Sequence, residues 1–397
     1  MQKSFKKTIC ACYICYISQG IVNNLAPLLF ITFISLKWVS LSSVTLLTTV
    51  NFATQLLVDL LSAYFVDKIG YRVCVVAGNL LSGFGIIGLA VLPEILPSPF
   101  AGLLISVVIY AVGGGLMEVL ISPIVEACPS DNKEKSMSLL HSFYCWGVVL
   151  VVALSTLFLW AFGRESWRTL CFIWSVLPIL NAFFFMTVPI NTLTEKGEGM
   201  TLKELFSKKI FLAFLLMMFS AGASELAMAQ WASAFAESGL KVSKALGDIA
   251  GPCAFAFLMG VSRTFYAKFS DRLKIGSYLT FCGCLCFISY LFASLSPAPI
   301  VSLIACGVCG FSVGVMWPGV CSLAAKNLPR GGTALFAMLA LAGDVGCSSG
   351  PTLVGFVSSA FNDSLRSGLL AASVFPVIMI AGALLQSLIL KEKEKCN

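Results

Sequence analysis

Ala63-Tyr64-Phe65-Val66-Asp67-Lys68 recurs 204 residues later as Ala267-Lys268-Phe269-Ser270-Asp271-Arg272. Both copies stand where a long apolar run gives way to charge. Working outward, Pro97-Ser98-Pro99 returns 200 residues later as Pro297-Ala298-Pro299. Gly115 followed by Pro123 returns as Gly310 followed by Pro318, with the same spacing of eight. Matches that keep chain direction at similar offsets, 195 to 204 residues, imply a duplicated unit, its two copies running parallel.

A helix crossing a bilayer needs about 20 apolar residues. Twelve runs reach that length: Thr8–Ser35, Ser42–Val66, Val73–Leu92, Phe100–Val125, Ser136–Phe162, Trp167–Val188, Ile210–Ala236, Ala245–Ala267, Ile275–Ser294, Ile300–Ala324, Thr333–Ala360 and Ser367–Leu390. Backbone groups in lipid must be satisfied within the segment, and no barrel-type alternation is visible, so each run is expected to be a helix. The expected fold is all-α, with twelve spans in two pseudo-symmetric six-helix bundles, residues 1–188 and 210–397. The polar interval 189–209 joins them as a solvated linker, with a short amphipathic helix near Leu202–Phe206.

Composition agrees. Hydrophobic residues make up 58% and charged residues 11%, with mean hydropathy +0.93. Soluble domains carry about 25% charge, so a soluble enzyme, a nucleic-acid binder and a disordered chain are excluded. The net charge of +7 lies in short loops and reads as an orientation signal. With the N-terminus inside, inner segments hold nineteen of the 26 Lys and Arg and outer loops hold six, which places both termini in the cytoplasm. Lys3, Lys6 and Lys7 before an apolar run mimic a signal peptide, but no small-residue cleavage site follows, so the run reads as an uncleaved first span. The sixteen cysteines include Cys12/Cys15 and Cys306/Cys309 at CxxC spacing. They lie in apolar runs, and with one histidine in the chain they read as small helix residues rather than metal ligands. Neither a metal nor a cofactor is expected.

Twelve spans in two halves, with Asp67-Lys68-Ile69-Gly70-Tyr71-Arg72 after the second span, resemble the major facilitator superfamily. Its loop signature is G-x-x-x-D-[RK]-x-G-[RK]-[RK]. The chain keeps the Asp, the base, the second Gly and the final Arg, with Ala63 at the first Gly and Tyr71 within the basic pair. Asp271-Arg272-Leu273-Lys274-Ile275-Gly276 is a looser second copy. A narrower similarity points to the fucose-permease-like branch. It rests on Asn23-Asn24-Leu25, on Glu118 where that branch has a functional glutamate, and on Leu140-His141 with Tyr144 and Gly147. Pro27 stands where the branch has an aspartate, and the fourth span lacks the arginine of proton-driven drug exporters. The resemblance implies a secondary transporter, not an enzyme, that works by alternating access.

An ionisable residue inside a span costs at least about 2.5–3.5 kcal/mol to insert, so each is a functional candidate. Glu118, beside Gly113-Gly114-Gly115, either loads and releases a proton or hydrogen-bonds a neighbouring helix. Glu225 in the seventh span, followed by Gln230 and Trp231, suits a polar solute that hydrogen-bonds and stacks. His141, with Tyr144 one turn on, is suited to proton relay, to substrate contact or to an interfacial structural role. Asn23 and Asn24 contact either substrate or a neighbouring helix. Trp317-Pro318 marks a kink that either packs in the core, the stronger reading, or walls a cavity, and Asp344, flanked by Gly343 and Gly346, is placed to line the cavity. Asp59 and Arg263 sit 204 residues apart, in equivalent places, and read with Asp67, Lys68, Arg72, Asp271 and Arg272 as gate or structural ion pairs.

The expected function is proton-coupled symport of a small polar organic solute, with sugars among the candidates. The chain is expected to act as a monomer in a bacterial plasma membrane, with substrate, proton and lipid as its partners and no nucleic acid. Its rivals are a proton-antiport exporter and a non-transporting receptor. The charge asymmetry makes a direct prediction. With single cysteines in a Cys-depleted background, an impermeant thiol reagent should label Ser166→Cys in intact cells and spare Gly199→Cys; the reverse pattern would invert the topology.

Overall fold

The computed structural model describes residues 5–193, 199–232, 235, 253–362 and 364–396. Among these residues the regular structure is helical, with eleven helices long and apolar enough to cross a membrane. Contacts divide the chain into two compact units. The first comprises Met1–Pro129, Phe143–Gly199 and Gly332–Ala337; the second comprises Ser130–Ser142, Met200–Gly331 and Met338–Asn397. The opening turns of the fifth span thus count with the second unit, and those of the eleventh with the first.

The first six spans are Phe5–Ser35, Leu41–Ile69, Tyr71–Ile95, Pro99–Ala127, Lys133–Phe162 and Trp167–Thr187. Gly70 alone separates the second from the third. Its φ of 104° is open to glycine at little cost, and its N–H bonds to Val66 O at 2.7 Å. The motif glycine is therefore the turn itself. Arg72 donates to the carbonyls of Phe185, Met186 and Val188 at 2.6–2.9 Å. These are carbonyls left open where the sixth span ends, and a cation there also suits the helix dipole. At the other end of this unit, Arg168 pairs with Glu94 and lies 4.8 Å from the Trp167 ring centroid, next to Trp38 and Phe33. Such an aromatic cluster suits a membrane–water boundary. Asn181 donates to Asn79 Oδ1 and to Ala11 O, both at 3.1 Å, joining spans one, three and six.

The second half contains the seventh span Lys209–Ala229, the described part of the eighth, Ala254–Phe269, and the ninth, Ile275–Leu295. The expected start of the eighth at Ala245 lies outside the described residues. The tenth is two helices, Pro299–Val313 and Met316–Asn327, so the expected kink at Trp317-Pro318 is a full interruption just before them. The eleventh is Gly332–Ala360, and the twelfth is Leu365–Ala372 followed by Val374–Cys396. Arg366 caps the ninth span on Ser294 O and Ser296 O, as Arg72 caps the sixth. The short helix expected before the seventh span is present as Leu202–Phe206, opened by a Thr201/Glu204 capping box. Glu204 accepts the Thr201 N–H at 2.7 Å, and that bond, with the Thr201 hydroxyl, holds its carboxyl below the usual glutamate pKa.

Small residues set the close approaches. A Cβ on Gly85 would overlap Tyr110, and one on Gly113 would overlap Ser82 and Gly78. In the second unit Gly346 and Gly350 of the eleventh span face the backbone of Phe219 and Ala223 in the seventh. Without a hydrophobic drive between helices in lipid, such contacts carry the packing. Gly346→Ala should therefore destabilise the protein by about 1–3 kcal/mol in thermal unfolding in detergent. Gly276→Ala is the control: its nearest neighbour would be Gln386 Oε1 at 3.9 Å, and it should be neutral or stabilising. Equal effects would contradict this packing.

Candidate functional site

In the first unit the first, second and fourth spans share one polar network. Gln55 Nε2 donates to Asn23 Oδ1 at 2.9 Å and to Asn51 Oδ1 at 3.1 Å. Gln19 Nε2 donates to Glu118 Oε2 at 3.2 Å and lies 3.4 Å from Gln55 Oε1. Asn24 turns back to Gly20 O at 2.9 Å. Tyr16 Oη and Ser122 Oγ are 3.2 Å apart, one turn from Gln19 and Glu118. A narrow cleft lined by Tyr16, Gln19, Met117, Glu118 and Ile121 runs beside the carboxylate. Gly114 leaves room for the Gln19 amide: a Cβ there would sit 3.3 Å from its oxygen. Glu118 is thus partly exposed and accepts from the Gln19 amide. An amide can accept or donate, so the network can stay bonded in either protonation state of Glu118. Toward the far end of the same unit a cavity of about 320 Å³ lies between the first and fifth spans, lined by Leu28, Thr32, Ser155, Thr156, Trp160 and Arg164 among others.

In the second unit the centre is Arg263, 3% exposed. Its NH2 lies 3.6 Å from Glu225 Oε2. Nε donates to Gly314 O at 2.7 Å and NH1 to His141 O at 2.9 Å, while Ser138 Oγ donates to Arg263 O at 2.7 Å. One guanidinium thereby ties spans five, seven, eight and ten. A guanidinium's fixed fork of donors suits this use.

The two motif aspartates are held alike. Thr333, at the start of the eleventh span, donates to Asp67 Oδ1 at 2.5 Å and lies 2.7 Å from Tyr71 Oη. Asn132, just before the fifth span, donates to Asp271 Oδ1 at 2.6 Å and to Ser270 Oγ at 3.0 Å. Beside it Tyr266 Oη donates to Glu134 Oε2 at 2.8 Å, and Lys326 Nζ lies 3.8 Å from Glu134 Oε1.

The sequence profile of the Major Facilitator Superfamily matches residues 9–351. The chain belongs to the major facilitator superfamily. Among solved structures the fold is similar to the E. coli fucose:proton symporter FucP, with TM-score 0.83, 15% identity, and coverage of 97% of this chain and 99% of that one. It is also similar to the proton:xylose symporter XylE, with TM-score 0.77, 14% identity and coverage of 95% and 93%. The human organic anion transporter TETRAN follows with TM-score 0.74, 15% identity and coverage of 96% and 100%. A comparison with curated proteins by sequence finds no match. The chain is therefore a multi-pass membrane transporter of this superfamily and not an enzyme.

Several residues sit differently in this superfamily member from the sequence reading. The regular helix Lys209–Ala229 places Glu225 one turn before a break at Gln230 and Trp231, and most of the expected span beyond that break lies outside the described residues. Gln230 caps that helix and is exposed. Trp231 donates its indole N–H to Pro351 O at 3.0 Å and lies against Gly355, so its N–H is already committed within the protein. Trp317 packs on Gly343, where any side chain would overlap the ring. His141 is buried, with Tyr144 and Asp344 partly buried. Asp59 is fully buried, matching Arg263 in the repeat. Lys68 and Arg272 are exposed. Among the residues read as ion pairs, Asp67, Asp271 and Arg72 bond instead to a hydroxyl, an amide and carbonyls. The CxxC thiols are buried and free, and among the described residues no cluster of His, Cys, Asp and Glu is arranged for a metal.

Gln19, Asn51, Gln55, Asn132, Glu134 and Thr333 were not singled out from sequence. Gln19/Asn23 and Asn51/Gln55 are amide pairs at i,i+4 on apolar helices, a spacing that puts both side chains on one face. That signal was legible. Gln55 is the hub, and Gln55→Leu should cost about 1–3 kcal/mol by leaving the Asn23 and Asn51 amides without their shared donor. Thermal unfolding in detergent checks it, and an unchanged midpoint would argue against the network.

Proposed function

We propose that the chain is a proton-coupled symporter of a small polar organic solute of sugar-like chemistry. It would act by alternating access between two six-helix bundles, residues 1–188 and 210–397, with both termini in the cytoplasm. The observation that carries this reading is Glu118: a partly exposed carboxylate within a span, bonded to Gln19 in a network of amides. A coupling site must take up a proton on one side and release it on the other. A carboxylate bonded to an adaptable amide meets that need, because the amide can bond to either protonation state. The clustered amides of Asn23, Asn51 and Gln55 suit a solute rich in hydroxyls. The likeness to FucP and XylE, named as sugar:proton symporters, supports the same class. Asp67 with Thr333 and Asp271 with Asn132 serve as paired latches that re-form in each cycle.

The test separates exchange from accumulation. A counterflow screen in proteoliposomes first identifies a solute. Glu118→Gln keeps shape and hydrogen bonding but cannot ionise, so it should abolish uphill accumulation driven by a pH gradient while preserving exchange of labelled for unlabelled solute. Accumulation in the mutant would make Glu118 structural. Loss of both activities in folded protein would make it a solute ligand.

A further inference from the structure

Pro318 has no N–H, so it cannot bond to the carbonyl four residues earlier, that of Gly314. The tenth span breaks there: one helix ends at Val313, the next begins at Met316, and regular bonding resumes with Gly319 N–H on Val315 O at 2.8 Å. A carbonyl stripped of its helix partner inside a membrane must find another donor. Arg263 Nε supplies it at 2.7 Å. The approach depends on glycine, since a Cβ on Gly314 would lie 2.8 Å from Met259 O and 2.9 Å from Ser262 Cβ. Gly310, one turn earlier, lies equally close to Phe255.

The same guanidinium reaches Glu225 on the seventh span and the backbone of His141 on the fifth. Glu225 and His141 are thus two ionisable residues that meet Arg263 at this point. We propose that Arg263 is a positioning residue that makes the break in the tenth span answer to the state of Glu225. With Glu225 charged, the fork is held on three sides and the Gly314 carbonyl is pinned. When Glu225 loses its charge or turns to a solute, one side of the fork is released and the hold on Gly314 loosens. The hinge of one span is in this way tied to an acid on another. The inference rests on the reading of the chain as a transporter whose spans move, but it requires no particular solute or coupling ion.

Hydrogen–deuterium exchange of the full-length protein in lipid nanodiscs, read in fragments covering 311–325, tests it without substrate. Glu225→Gln, which keeps the shape, should speed exchange in those fragments about tenfold, and Arg263→Lys should do at least as much. Fragments from the third span should not change. Pro318→Ala returns an N–H to position 318 and gives Gly314 its own helix partner, so adding it to Glu225→Gln should remove the increase. Unchanged exchange in Glu225→Gln would overturn the proposal. So would an increase that persists in the Glu225→Gln, Pro318→Ala double variant, because Arg263 would then support the bundle generally and not through this carbonyl.

Discussion

The contact of the Arg263 side chain with the Gly314 carbonyl shows the constraint under which the whole chain is built. In hydrocarbon a backbone carbonyl or a guanidinium has no water to turn to, and each must be answered by protein. Pro318 creates an unanswered carbonyl and Arg263 brings a charge; together they satisfy each other, and Glu225 balances the charge. The same logic recurs at the helix ends, where Arg72 and Arg366 close the last carbonyls of the sixth and ninth spans. Arginine serves here because one side chain presents several donors in a fixed plane.

The two units meet this constraint with different chemistry. The first uses neutral amides, with Gln55 and Gln19 distributing donors among Asn23, Asn51 and Glu118. The second uses an ion pair and backbone carbonyls. An amide network tolerates the gain or loss of a proton with small rearrangement, whereas an ion pair that also holds backbone carbonyls passes a change at either partner on to the groups it holds. On the proposed reading Glu118 is the coupling acid of the first unit, and Arg263 passes a change at Glu225 on to the tenth span.

The fold was legible because hydropathy and duplication are written along the chain. Apolar runs of spanning length, and the return of the Asp67 motif at Asp271, need no tertiary information. Gly70 was legible as a motif position, and the structure adds why: it is the whole turn between two spans. The site was legible only in part. Glu118 and Arg263 stood out because a charge in a span is costly, but nothing in the sequence said that Arg263 would take a carbonyl released by a proline 55 residues away. The break after Ala229, one turn beyond Glu225, was not legible, because apolar residues continue through it and hydropathy does not mark an interruption inside an apolar run. The amide pairs were within reach of sequence, since their i,i+4 spacing is a helical signature.

The central claim is that solute and proton move together through this chain. The most direct measurement is solute-induced proton flux: purified protein in liposomes loaded with a pH-sensitive dye, challenged with sugars, nucleosides and amino acids without an imposed gradient. The account predicts that a hydroxyl-rich solute enters and acidifies the lumen in step with its uptake. Uptake with an unchanged lumenal pH, or alkalinisation as the solute enters, would contradict it.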